Sequence, residues 1–408
     1  MADSKPAVLQ AAGSVLAAEA ASRVRPNVKL IGLLALGHLV IDVNQGSLSA
    51  VLPFLKAQHG LSYAQAAMII LIANLTSSII QPLFGYLSDQ SARRWLLPLS
   101  IALSGLGLSL TGLAPSYGVI LALVVVTGIG VAAWHPEGYK TATGVAGQRK
   151  ATALGWFSLG GNIGIAIGPP VITLLITTAG IAGTLGMLAP SVVMAGLFVT
   201  ALPLIARATP APRAAAQHAR GVDMPGAMAW LIVVVMLRSW TTLGFTTFVP
   251  FFYLDVLKRD ASMVGTLLFV FLGAGALGSL AAGPIADRIG ARPFVRWVFL
   301  AALPFGILFM VTDGIARFVM LGLFGAILTA SFSVSVVLAQ AYLPRHAGMA
   351  SGLIVGFAIG TGGLAVTLLG VVADHYGLSV ALWISALMPL AGFAAARALP
   401  APRSLAIQ

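Results

Sequence analysis

Of the 408 residues, 59% are hydrophobic and 8% are charged, with a mean hydropathy of +0.98, whereas a soluble domain carries about 25% charged residues. That balance excludes the soluble and the disordered classes and places the chain in lipid. The net charge of +12 is not the patch of a nucleic-acid binder, because the basic residues are dispersed between apolar runs; the absence of cysteine removes disulfide frameworks and thiolate metal sites.

Residues 1–28 carry Asp3 and Glu19 and lack a compact apolar core with a cleavage site, so they read as a cytoplasmic tail and not as a signal peptide. A helix needs about 20 apolar residues to cross the hydrocarbon layer, and polar breaks delimit twelve such runs. The first six are predicted at 29–55, 62–87, 94–113, 117–143, 151–178 and 183–206, within a bundle spanning 29–206. A Pro-, Ala- and Arg-rich stretch at 207–224 reads as a cytoplasmic linker. The second six are predicted at 225–253, 261–285, 292–312, 314–342, 349–374 and 378–399, within a bundle spanning 225–399, followed by a tail at 400–408. Only helices or closed barrels satisfy the backbone in lipid, and the alternating pattern of barrel strands is absent, so the fold class is all-α integral membrane. Basic residues such as Arg93, Arg94, Arg149, Lys150, Arg207 and Arg213 gather on alternate loops. This asymmetry places both termini in the cytoplasm.

One hydrophilic turn occurs twice. GYLSDQSARR at 85–94 and GPIADRIGAR at 283–292 share Gly, Asp and a terminal Arg, and each lies between the second and third run of its half. A repeat at half the chain length signals two related six-helix bundles, an arrangement typical of secondary transporters. Glycines at 160, 161, 164 and 168, and at 356, 360, 362 and 363, have the spacing that lets helices approach closely.

Polar groups inside a span cost about 2.5 to 3.5 kcal/mol each, so those present need a reason. His38, Asp42 and Gln45 stack on one face of the first helix. Trp134, His135, Pro136 and Glu137 form a polar kink in the fourth, because proline removes a backbone donor. Arg238 lies mid-span in the seventh, and Ser333 and Gln340 share a face of the tenth. Asp42 and Glu137 are the candidate proton carriers, since removal from water raises a carboxyl pKa toward neutrality, with His38 and His135 as relays or as structural partners. Arg238, a permanent cation with a planar fork, indicates either an anionic solute or an internal salt bridge to Asp42 or Glu137. His135 and Glu137 diverge by about 200° on their helix and no third ligand adjoins them in sequence, so no metal is expected. No G-x-x-x-x-G-K-[ST] loop occurs, which argues against an ATP-driven pump; no cofactor is expected.

The paired turns resemble the cytoplasmic loop signature of the major facilitator superfamily, and Gly164-x-x-x-Gly168-Pro169 resembles the fifth-helix motif of its antiporters. Further stretches resemble the fosmidomycin-resistance branch: His38 to Asp42 with Asn44-Gln45-Gly46, Gln81-Pro82, Trp134-His135-Pro136-Glu137, Gly160-Gly161-Asn162, Leu237-Arg238-Ser239-Trp240, and Gln340 with Leu343-Pro344-Arg345. The resemblance implies a twelve-helix carrier of the bacterial inner membrane, not an enzyme, exporting a small anionic drug such as fosmidomycin in exchange for protons. It implies a monomer, because two halves make a complete carrier, with no nucleic-acid partner. In that reading Arg238, Gln45, Trp156, Asn162 and Gln340 line the substrate site. Gly85, Asp89, Arg94, Gly283, Asp287, Arg288 and Arg292 form conformational latches, and Gly164, Gly168 and Pro169 serve helix packing. The alternative is a proton symporter importing a small carboxylate on the same fold.

Overall fold

The computed structural model describes residues 26–90, 93–147, 149–208 and 222–402, and among these every regular element is helical. The expectations placed on residues 1–25, 209–221 and 403–408 fall outside the described residues, as does the side chain of Asp89.

Eleven continuous rods follow the apolar runs to within a few residues. They are α1 (Val28–His59), α2 (Tyr63–Gln90), α3 (Leu96–Leu110), α4 (Tyr117–Val145), α5 (Lys150–Ala179), α6 (Leu188–Ala208), α7 (Pro225–Phe251), α8 (Met263–Ile289), α9 (Ala291–Val311), α10 (Gly314–Tyr342) and α12 (Leu378–Arg397). A further rod, α11, runs as Ala347–Gly352 and Ile359–Tyr376 with a π-helical turn at Leu353–Ala358 between them. The ends have local causes. The Asn27 side chain accepts from the Leu30 N–H and the Ser116 side chain from the Val119 N–H, while Gly60 at φ 62° stops α1. Pro225 opens α7 where its missing donor is harmless.

The halves repeat one pairing scheme. In the first, α1 lies along α5 while α2 and α3 pack on α4; in the second, α7 lies along α11 while α8 and α9 pack on α10. Close approach of α5 to α1 depends on glycine, since a Cβ at Gly160, Gly164 or Gly168 would run into the main-chain carbonyl of Ala35, Leu39 or Val43 respectively. Overpacking of this kind costs about 1 to 3 kcal/mol. Gly164→Leu is therefore expected to lower the thermal midpoint of the detergent-solubilised chain, whereas Gly155→Leu, at a position with nothing within 4 Å, leaves it near the parent value.

The most extensive packing between the halves is that of α2 with α11 and of α5 with α8. The first pair is tight at one end and splayed at the other. A Cβ at Gly370 or Gly363 would lie 2.7 Å from the Cα of Ala64 or Leu71, one at Gly356 would lie 3.7 Å from the Ser78 carbonyl, and at Gly352 there is nothing within 4 Å. At the tight end, Asp374 of α11 accepts from the backbone N–H groups of Tyr63 (2.8 Å) and Ala64 (3.0 Å), capping α2 from the opposite half. Beside it, the Tyr63 hydroxyl donates to Asp255 at 2.7 Å and Lys56 lies 3.6 Å from the same carboxylate. Loss of a capping side chain costs about 1 kcal/mol, roughly a fivefold shift in a conformational equilibrium. Asp374→Ala is thus expected to enlarge the population open at this end, read as a longer distance between spin labels placed at Ser62 and Tyr376 in a chain that has no native cysteine.

Candidate functional site

Helices α1, α4 and α5 meet around three ionisable side chains. Asp42 and His38 lie one turn apart on α1, with His38 Nε2 3.3 Å from Asp42 Oδ2. His135 on α4 brings its Nε2 to 3.9 Å from Asp42 Oδ1. Both rings are oriented by backbone: Nδ1 of His38 donates to the Phe157 carbonyl at 2.8 Å, and Nδ1 of His135 donates to the Val131 carbonyl at 2.9 Å. Carbonyl oxygens only accept, so each Nδ1 holds a hydrogen, and a ring in its neutral form turns the Nε2 lone pair toward the carboxylate. Lone pairs of two imidazoles and one carboxylate then converge on the same space. Asp42 Oδ1 is buried without a hydrogen-bond partner, a costly condition unless a proton or another cation is shared among the three.

The surroundings are largely apolar. His38 and Asp42 are buried, Phe157 stacks on His38 at a centroid separation of 4.2 Å, and Trp134 is fully buried beside it. Gly161 of α5 completes the wall: a Cβ there would stand 2.6 Å from Asp42 Oδ2 and 2.7 Å from His38 Nε2. The expectation that His135 has no further ligand groups near it is corrected by the fold, because α4 packs on α1 and places His38 and Asp42 against it. These donor atoms, all within 4.8 Å of one another, are where a metal would sit. Glu137 is buried on the same helix as His135 but is not part of this group.

Between the halves is a cavity of about 200 Å³ to which α1, α2, α4, α5, α7 and α8 all contribute. Its polar lining is neutral: Gln45, Ser49, Asn74, Ser77, Thr127, Thr242 and Thr246. Gln45 was expected there; Asn74 and Ser77 were not, because a single amide or hydroxyl in an apolar run does not announce which way it faces. Arg238 lies one turn from Thr242 on α7 but does not line the cavity. Its Nη2 donates to Ser239 Oγ at 3.3 Å, its guanidinium lies 5.1 Å from the Phe332 ring centroid, and its Nε has no partner. The ion-pair partners of Asp42 in this conformation are His38 and His135 and not Arg238.

Three expected site residues are not among those lining this cavity. Trp156 is 59% exposed and shares its face of α5 with exposed Ile163 and Leu174, seven and eighteen residues on, or nearly whole numbers of turns. Nine residues on from Trp156, Ile165 is the α5 residue that lines the cavity, so the Trp156 face is turned to the opposite side of the helix. Gln340 donates to Ser351 Oγ at 2.9 Å within its own half, and Asn162 is exposed outside the cavity lining. Among the expected latches, Arg292 donates from Nε to the Leu399 carbonyl at 2.6 Å, tying α9 to the end of α12 instead of joining the halves. Gly283 has nothing within 4 Å of its added Cβ and Gly85 has only the Pro136 ring, at 4.0 Å, while Asp287 and Arg288 are exposed.

Twelve apolar helices in two pseudo-repeat bundles around a central cavity define a multi-pass membrane protein of the secondary-transporter class. The comparison with known proteins agrees: the sequence pattern of the Major Facilitator Superfamily matches residues 34–365, and the chain belongs to that family. It is 31% identical to the fosmidomycin resistance protein of Escherichia coli K12, across 92% of this chain and 94% of the relative. It is also 31% identical to the uncharacterized MFS-type transporter YfnC of Bacillus subtilis 168, across 91% and 92% respectively. Among solved structures, a bacterial homolog of the human lysosomal transporter Spinster, inward-facing and occupied, superposes with a TM-score of 0.76 at 15% identity, covering 91% of this chain and 96% of that one. The inward-open xylose transporter XylE of E. coli gives 0.68 at 14% identity, covering 93% and 97%. Family and fold are those of a transporter of small molecules and point away from an enzyme.

Proposed function

We propose that this transporter exports a small anionic compound of the fosmidomycin kind from the cytoplasm of a bacterial cell in exchange for protons, with Asp42 as the coupling carboxylate. The observation that carries the reading is the convergence of His38 Nε2 and His135 Nε2 on Asp42, with both Nδ1 hydrogens already committed to carbonyls. Such a group needs a shared proton and can surrender it, and its burial keeps the carboxylate from being satisfied by water. Arg238, buried with no anion beside it, supplies the attraction for the solute, because an uncompensated buried cation gains most from a partner that arrives. The likeness to the fosmidomycin resistance protein supports the substrate class.

In this reading the splayed end of α2 and α11, which carries the repeated turns, faces the cytoplasm, and the end closed by Asp374 and Tyr63 faces outward. Solute enters the cavity from the cytoplasm as the cluster releases its proton inward; the halves rock, and the outward state takes up a proton as the solute leaves. Chain ends in the cytoplasm, an inner-membrane location and function as a monomer belong to the same proposal.

The test is lumenal pH in proteoliposomes loaded acidic inside. Alkalinisation on external addition of fosmidomycin is the expected result. Silence with fosmidomycin, together with lumenal acidification by a small carboxylate under an inward proton gradient, would overturn export in favour of proton-coupled uptake.

A further inference from the structure

We propose that His38 Nε2, His135 Nε2 and one Asp42 oxygen also bind a divalent transition-metal ion, of the class of Zn²⁺, Co²⁺ or Ni²⁺, which takes the place of the shared proton. The proposal concerns the cluster read above as the proton site, yet it stands on donor atoms and space and not on transport, so either reading can fail alone.

The donor set comes first. Two imidazoles and a carboxylate suit borderline ions better than the hard cations, which favour all-oxygen shells. Zinc bonds of about 2.0 to 2.2 Å in a tetrahedron place neighbouring ligand atoms roughly 3.3 to 3.5 Å apart. His38 Nε2 stands 3.3 Å from Asp42 Oδ2 and His135 Nε2 3.9 Å from Oδ1, so the two rings approach different oxygens of one carboxylate, which reorients to offer a single oxygen to both. All three groups offer an atom within 4.8 Å of the others.

The outer contacts are those of metal-binding histidines. Such rings fix their second nitrogen on a carbonyl or carboxylate, which sets the tautomer and aims the lone pair. Both rings here do so, through Phe157 and Val131. Asp42 Oδ1 is buried with no hydrogen-bond partner, a vacancy in bonding that a cation fills.

Packing and access are independent observations. Gly161 brings α5 close to the donor atoms, and a single methyl there would stand only 2.6 and 2.7 Å from Asp42 Oδ2 and His38 Nε2, intruding on the position of an ion. The His135 side chain retains 19% exposure, so the site has one face from which an ion enters and at which a fourth ligand such as water completes the shell.

The experiment is a Co²⁺ titration of the detergent-purified full chain carrying a tag without histidine. The chain has no cysteine and six histidines, so a visible d–d spectrum reports nitrogen and oxygen ligation without thiolate bands. One equivalent of Co²⁺ with tetrahedral or five-coordinate bands is expected, displaced by Zn²⁺. His38→Gln, His135→Gln and Gly161→Ala are each expected to weaken binding at least tenfold, and His375→Gln at the surface to leave it unchanged. Should a variant fail to fold, X-ray absorption on the Zn²⁺-loaded parent decides, with two imidazoles and an oxygen expected in the first shell. Absence of a saturable spectrum, binding indifferent to both histidines, or a shell without two imidazoles would overturn the metal site. Fosmidomycin-driven proton movement is unaffected by that failure, and a normal Co²⁺ spectrum is unaffected by failure of the transport reading.

Discussion

Asp42→Asn is expected to uncouple transport while leaving the protein folded. The carboxamide is nearly isosteric with the carboxylate and carries its own hydrogens, so it can donate to the Nε2 lone pair of His38 or His135 but cannot ionise. The packing of α1 on α5 and the aromatic wall of Phe157 and Trp134 are untouched. What disappears is the site's need to gain and lose a charge. One charge crossing 100 mV is worth about 2.3 kcal/mol, and each 1.4 kcal/mol is about tenfold in concentration. For each proton exchanged the variant should lose about a fortyfold solute gradient at that potential, and substrate-driven alkalinisation of acid-loaded proteoliposomes should vanish while solute exchange down its own gradient persists. Retention of proton movement by Asp42→Asn with loss in Glu137→Gln would move the coupling role to α4.

Arg238→Gln is expected to cost more in recognition than in stability. The guanidinium has only a 3.3 Å contact with Ser239 and the Phe332 ring face to lose, and no carboxylate partner in this conformation is left stranded. Removing one member of a buried charge pair formed with an incoming anion costs about 2 to 5 kcal/mol, or roughly thirtyfold and upward in apparent affinity. The signature is selective: binding of a phosphonate measured by calorimetry falls by that factor, while the thermal midpoint without solute stays level or rises, since the mutation removes an isolated buried charge. Equal affinity of parent and variant for the anion would remove Arg238 from recognition.

The sequence made the helices legible because a membrane span is a one-dimensional property: twenty apolar residues suffice, and neighbours add little. The His38 and Asp42 pair was legible for a similar reason, since a separation of four residues on a helix fixes their shared face. His135 was legible as part of a polar kink and as a relay or partner of a carboxylate, but not as a neighbour of Asp42 in particular, because that meeting depends on how α4 rotates against α1, and rotation is set by packing across helices. Trp156 illustrates the opposite difficulty. An aromatic inside a span satisfies both a cavity wall and a lipid face, and only the pitch it shares with Ile163 and Leu174 separates the two. Asp255 and Asp374 went unremarked because acids at span ends are commonplace; their value comes from Tyr63 and Ala64, residues of the other half. Arg292 was read as a latch from its place in the repeat, but the carbonyl it reaches is that of Leu399, just past the end of α12.

The graded spacing between α2 and α11 makes the two ends of one seam unequal in their tolerance for bulk. At Gly363 and Gly370 a larger side chain collides with the conformation seen here, whereas at Gly352 it meets nothing. If the halves rock about the middle of this seam, the vacant end must become the crowded one later in the cycle. A tryptophan at position 352 would then behave as a doorstop: harmless to the assembled molecule, invisible to a melting curve, and able to hold the carrier on one side of the membrane for as long as it remains wedged.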